Sequence, residues 1–242
     1  MSRTPSPSRR TRAAALLLAA ALVAPSLLGA AAPAAARAPP WPVCGLCEDG
    51  TLASAAADRG ATVETGASTL DVRVFANGST RWTARVELTD GAGAMANESL
   101  RRAVVRAAID RPRRPGGDAS ALSSRMDGST LVASYDRADA AETELGAVVF
   151  TPLHASGPAI PFAIGGEGAP YLASDALTVH APAGYVPAGG ADGGNVSGDA
   201  VRWTAADGDT VDGDTVPTFV PEGSPLPGVR GALARLSAGY GW

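Results

Sequence analysis

The feature that most constrains the fold is a pair of alternating segments on either side of Asn77-Gly78. Leu70, Val72 and Val74 alternate with Asp71 and Arg73, and beyond the turn Trp82, Ala84, Val86 and Leu88 alternate with Arg81, Thr83, Arg85 and Glu87. Successive side chains of a strand point to opposite faces, so each segment has one apolar face and the two must pair with those faces together. Parity then decides the turn. A two-residue loop at Asn77-Gly78 would set Val72 against Thr83 and Val74 against Arg81. A three-residue loop, Ala76-Asn77-Gly78 with Gly78 left-handed as a bulge, sets Val72 against Trp82 and Leu70 against Ala84. The bulged hairpin is the expected form.

A glycine-rich link (Gly91, Gly93) leads from the hairpin to a helical pattern over about 97–110. Leu100, Ala103, Val104, Ala107 and Ala108 form its apolar stripe, Arg101, Arg102 and Arg106 are expected to face away, and Pro112 ends it. The arginine- and proline-rich run 111–117 then reads as a solvated loop. Strands are expected at 130–135, 146–150, 176–181 and 200–204, each bounded by Gly, Pro or Asp. Residues 137–145 read as a short helix capped by Asp136 and closed by Gly146. The Gly/Pro-rich stretches 157–170 and 182–198 read as long loops, and the tail 226–242 as one short helix that then frays. Together these pieces predict an α+β domain dominated by antiparallel sheet, sandwich-like, with one main covering helix.

Ahead of this domain the first 36 residues have the order of an export signal. A basic head (Arg3, Arg9, Arg10, Arg12) precedes an apolar run over 13–24 and then Ala34-Ala35-Ala36. The paired arginines resemble a twin-arginine address. Pro25 interrupts the run at a length nearer a signal core than a membrane span, so cleavage near Arg37 is expected. The mature chain is then expected to have no membrane span and to lie outside the cell or on its surface. The expected parts are the signal (1–36), a cysteine-containing arm (37–66) with a weak helix over 51–58, a β-rich domain (67–225) and the tail (226–242).

All 20 basic residues are arginine. Beyond the leader, 24 acids face 16 arginines, a formal charge of −8. A net acidic surface argues against nucleic acid, whose phosphates call for a basic face. Acidic, lysine-free and alanine-rich composition looks like that of proteins from salt-loving archaea, in which charge keeps the fold soluble in brine.

Few residues suggest chemistry. Cys44-Gly-Leu-Cys47 is the only cysteine pair, and in an oxidising compartment a disulfide is expected. Closing so short a loop is worth about 2 kcal/mol, which gives it a role in local rigidity. The alternative is a thiol-disulfide redox pair, although the usual redox context, a helix start after a strand of a βαβ unit, is missing. Three sequons, at Asn77, Asn97 and Asn195, are glycosylation candidates. Asn77 and Asn195 fall in turn and loop stretches, whereas Asn97 is expected to serve as a helix N-cap. A tandem Asp-Gly-Asp-Thr-Val repeat places Asp207, Asp209, Asp212 and Asp214 within eight residues. That makes it a calcium candidate, but Val211 occupies the fifth position of an EF-hand loop and no glutamate closes it. The other reading is an acidic turn. His154 and His180 lie in unlike contexts, no nucleophile elbow, phosphate loop or paired-histidine motif occurs, and no motif calls for a cofactor.

The pair Cys44 and Cys47, the Asn77-Gly78-Ser79 turn with Trp82, and the stretch Leu177-Thr-Val-His-Ala-Pro-Ala-Gly184 are similar to uncharacterised exported proteins of haloarchaea. Such proteins often end in a C-terminal membrane helix, which is not seen before Trp242. The resemblance implies no established activity. The expected function is an exported, non-enzymatic surface or binding domain whose partner is a cell-envelope component or another surface protein. The alternative is a redox accessory protein using Cys44 and Cys47.

Overall fold

The computed structural model describes residues 40–110, 118–155, 170–207 and 210–240. The leader, the 111–117 loop, most of the 157–170 loop, Asp209 and Trp242 fall outside these residues. In chain order the elements are β1 (Trp41–Pro42), α1 (Thr51–Ala57), β2 (Glu64–Val74), β3 (Thr80–Asp90), α2 (Ala92–Met95), α3 (Glu98–Ile109), β4 (Ser120–Asp127) and β5 (Thr130–Arg137). They continue with β6 (Ala141–Glu144), β7 (Ala147–Phe150), β8 (Pro170–Tyr171), β9 (Ala176–His180), β10 (Tyr185–Pro187), β11 (Asn195–Ser197), β12 (Ala200–Thr204), β13 (Thr218–Pro221) and α4 (Pro227–Ser237). The fold is strand-rich α+β and sandwich-like.

The hairpin has the register that parity requires. Val72 pairs with Trp82 and Leu70 with Ala84. The Phe75 N–H donates to the Ser79 carbonyl at 2.9 Å, the Gly78 N–H donates to the Phe75 carbonyl at 3.0 Å, and Gly78 sits at φ 84. Gly78 is also fixed from outside the hairpin: a Cβ there would lie 2.4 Å from the Ala141 carbonyl oxygen, so no other residue fits without moving β6.

The hairpin forms the centre of a seven-stranded sheet in the order β11-β12-β9-β2-β3-β5-β4. Its pairings are antiparallel except β2 with β9, which is parallel, as is the small β1–β8 pair. One face carries the buried apolar set. The other is polar, with Arg81 bidentate to Asp136 at 2.8 and 2.9 Å and Arg85 paired with Asp71.

The second sheet, β10-β13-β7-β6, is apolar on both faces. Val148, Phe150 and Phe219 point into the main core, where the Phe150 ring lies 6.0 Å from that of Trp82. Ala147, Val149 and Val220 point the other way, against Ala234 of α4. The seven-stranded sheet, the four-stranded sheet and α4 thus stack as layers, with Trp82 at the first seam. Beside it the buried Arg137 guanidinium stands 5.0 Å over the Trp82 ring and 5.5 Å over Tyr135.

Several sequence expectations are corrected. Residues 137–145 form no helix: β5 runs on to Arg137 and β6 pairs with β7 from Ala141–Phe150 to Glu144–Ala147. Leu145 and Gly146, at φ 50 and 70, make the two-residue turn of that hairpin. Pairing with a fully buried strand outweighs the helical preference of an Ala/Glu-rich stretch. Arg101 does not face solvent. Its guanidinium is buried and donates to the carbonyls of Met95 and Ala96 at 2.8 and 3.2 Å, closing the last turn of α2. The loop 182–198 contains β10 and β11, and after α4 the Tyr240 hydroxyl donates to Glu142. The cysteine arm is built into the main core, which includes Trp41, Val43, Leu46 and Leu52. No helix among the described residues is long and apolar enough to cross a membrane.

Candidate functional site

The disulfide forms as expected and shapes a groove. Cys44 and Cys47 are bonded, with Cα atoms 5.2 Å apart, in a turn where the N–H groups of Cys47 and Glu48 both donate to the Cys44 carbonyl at 3.1 Å. Cys44 is 1% exposed and Cys47 8%. β1 brings this turn against β8, because Val43 N–H donates to the Tyr171 carbonyl at 2.8 Å and Cys44 N–H to that of Leu172 at 3.3 Å.

Between the disulfide turn (Cys47, Glu48, Asp49), the bulge of β2 (Gly66, Ser68) and the approach to β9 (Tyr171, Ser174, Asp175) lies a groove of about 430 Å³. Its lining sets carboxylates and hydroxyls beside the small groups of Gly66, Ala173 and Ala205. The Tyr171 hydroxyl donates to Glu48 Oε1 at 3.0 Å, and the other Glu48 oxygen accepts from Thr51 Oγ1 at 2.9 Å at the first turn of α1. Burial, the bond to Glu48 and the charges of Glu48 and Asp49 push the Tyr171 phenol up to about 12. Across the groove, Asp175 Oδ2 accepts from the Ser68 N–H at 2.7 Å while the Asp175 N–H donates to the Ser68 carbonyl at 3.0 Å. This reciprocal pair pins the start of β9 to β2 where the β2–β3 register shifts. The Ser174 hydroxyl donates to the Ala176 carbonyl at 3.1 Å.

The groove is therefore a rigid, acidic concavity whose oxygens accept hydrogen bonds. Its chemistry suits a ligand rich in hydroxyl or ammonium donors. The disulfide forms part of the wall and, being nine-tenths buried at both sulfurs' residues, presents little reactive surface.

The other residues singled out from the sequence do not join this site. Asn77 is exposed on the hairpin turn, its Oδ1 accepting from Ser79 N and Oγ at 3.2 and 2.7 Å. Asn195 is exposed at the start of edge strand β11. Asn97 caps α3, accepting from Ser99 and Leu100 N–H at 3.0 and 3.2 Å, as its place in the sequence suggested. In the acidic repeat Asp212 accepts from the Asp214 N–H at 3.0 Å, an Asx turn, and Asp207 ends a single 3-10 turn. Among the described residues no group of three or more His, Cys, Asp or Glu is arranged to hold a metal ion. His154, in the turn after β7, lies edge-on to Tyr240 at 4.9 Å, while His180, at the end of β9, is 3.7 Å from Asp71 on the neighbouring β2.

Sequence reasoning found Cys44 and Cys47 but missed Glu48, Tyr171, Ser174 and Asp175. The usable signal was local: a Ser-Asp pair directly before a strand favours side-chain bonds to backbone. Nothing in the sequence announces that this pair meets the cysteine turn. No family, curated protein or solved structure matches the chain.

Proposed function

We propose that this chain is an exported, non-enzymatic domain of the haloarchaeal cell surface that binds an envelope component through the groove beside the Cys44–Cys47 disulfide. The observation that carries the reading is how the groove's polar groups are used. Glu48, Tyr171, Ser174 and Asp175 each hold another part of the protein in place, and together they present fixed acceptors rather than a base poised beside a nucleophile. Fixed acceptors in a preformed concavity suit recognition of a polyol or amine-bearing surface polymer. A disulfide closing a buried turn suits an oxidising compartment, and an acidic surface suits a soluble protein in strong salt.

The intact native protein, recovered separately from medium and envelope, tests this reading. It should begin near Arg37, carry a closed disulfide that resists mild reductant until the fold is denatured, and carry glycan mass at Asn77 and Asn195. Replacing both cysteines by serine should cost about 2 kcal/mol of stability and widen the groove. A folded protein whose Cys44–Cys47 pair exchanges readily at a thioredoxin-like potential would instead establish the redox function.

A further inference from the structure

We propose that the outward face of the C-terminal helix α4 is a self-association surface and that its occupant is a second copy of this chain. Four large apolar side chains line that face: Leu226 is 72% exposed, Val229 55%, Leu233 50% and Leu236 52%. The three on the helix, Val229, Leu233 and Leu236, are four and three residues apart, the spacing of the apolar seam by which two helices pack knobs into holes, and Leu226 stands just before the helix begins. The opposite side of the helix is the one the domain buries, through Gly231 and Ala234. Gly231 lies so close to the loop after β10 that a Cβ would stand 2.6 Å from the Ala188 carbonyl oxygen.

The seam cannot roll inward, because polar bonds fix the helix along its length. Arg230 donates to the Leu145 carbonyl through Nε at 3.1 Å and Nη2 at 2.8 Å, Ser237 Oγ donates to Glu144 at 3.1 Å, and just beyond the helix the Tyr240 hydroxyl donates to Glu142 at 3.0 Å. At the head of the seam Leu226 is held at φ 48, a conformation that costs a branched side chain energy and that here sends a leucine into water.

Charge selects the occupant. The described chain belongs to a molecule carrying −8 beyond its leader, so most approaches of one copy to another are repelled. Residues 223–242 contain no acidic side chain at all. The two arginines of α4 turn toward the domain, Arg230 to Leu145 and Arg235 against Gly189, which leaves the seam uncharged. A membrane surface would call for cations flanking the apolar stripe, and both are committed inward. A second α4 offers the same uncharged seam, and a two-fold axis brings the two together. With about 100 Å² exposed on each of four side chains, pairing buries on the order of 800 Å² in all, below the roughly 1,200 Å² of a standard stable interface. The dimer is therefore weak, dependent on concentration, and strengthened by salts that favour apolar burial.

Sedimentation equilibrium of the mature chain, from micromolar to near-millimolar concentration in high salt, decides the matter. We expect a monomer–dimer equilibrium that L233D and L236D each weaken by about tenfold or more while the melting midpoint stays in place. V196D, at an equally exposed apolar residue on β11, should leave the dimer intact. A monomer at every concentration, a dimer untouched by L233D and L236D, or a monomer that sediments with neutral phosphatidylcholine vesicles would each overturn the proposal.

Discussion

β3 and β7 are both interior strands, yet they are written in different codes. β3 is buried on one face, so its residues alternate from Trp82 to Leu88 and its role can be seen at once. β7 is buried on both faces, with Val148 and Phe150 toward the sheet sandwich and Ala147 and Val149 toward α4, so it shows a plain apolar run that fits a strand or a buried helix turn equally well. A strand's legibility therefore depends on how many faces it buries, and its contribution to the core does not.

An alanine scan read by denaturant unfolding tests that contrast. The largest losses should be equal on the two strands: Trp82→Ala and Phe150→Ala, which touch across the sandwich, each cost about 3–5 kcal/mol. The pattern around them should differ. In β3 the outward positions Arg81, Thr83, Arg85 and Glu87 should stay within about 0.5 kcal/mol of wild type, because surface ion pairs such as Arg81–Asp136 contribute little. In β7 both Val148→Ala and Val149→Ala should be costly. A period-two pattern in β7 would show that α4 does not seal its outer face.

Next in size is the helix cap. Asn97→Ala should lose about 1 kcal/mol, since two N–H groups of α3 lose their acceptor, whereas Asn97→Asp should be nearly silent.

The smallest effect is expected from contacts that join distant parts of the chain, Tyr171 with Glu48 and Tyr240 with Glu142. Burial first, then the carboxylate partner, raises both phenols from 10.0 to about 12. The native state therefore holds these protons more tightly than the unfolded chain does. Their contribution to stability is whole below pH 10 and drains away as the pH climbs from 10 toward 12. Both rings are only half-buried, so solvent screens the effect and the decline is modest. A melting curve measured against pH should show it, and Tyr171→Phe together with Tyr240→Phe should flatten it.

Legibility followed the same physics elsewhere. Parity alone gave the bulged turn at Gly78, and capping chemistry gave the start of α3, because both are settled within a dozen residues. β4 is hard to read from the sequence because its inward face carries only Leu122 and Met126, with Ser124 between them, on a half-buried edge strand. The composition of β6 is helical, and only pairing with β7 makes it extended. The burial of Arg101 is invisible in the pattern of its own helix, because the carbonyls it satisfies belong to the end of the preceding one. At the groove the cysteine turn was visible, while Tyr171 and Asp175 reach it over a separation of more than a hundred residues, as in the Ser68–Asp175 bond 107 positions apart.

The parallel pairing of β2 with β9 has a consequence for how the protein is made. The hairpin, β5 and β4 lie close in sequence and can assemble as they leave the ribosome, but β2 then presents an open edge bearing Leu70, Val72 and Val74. Its neighbour, with Leu177 against Leu70 and Val179 against Val72, begins at Ala176, more than eighty residues after β3 ends at Asp90. Until β9 arrives, the nascent sheet has the aggregation hazard of any long unpaired strand, and the time spent in that state is set by the rate of translation.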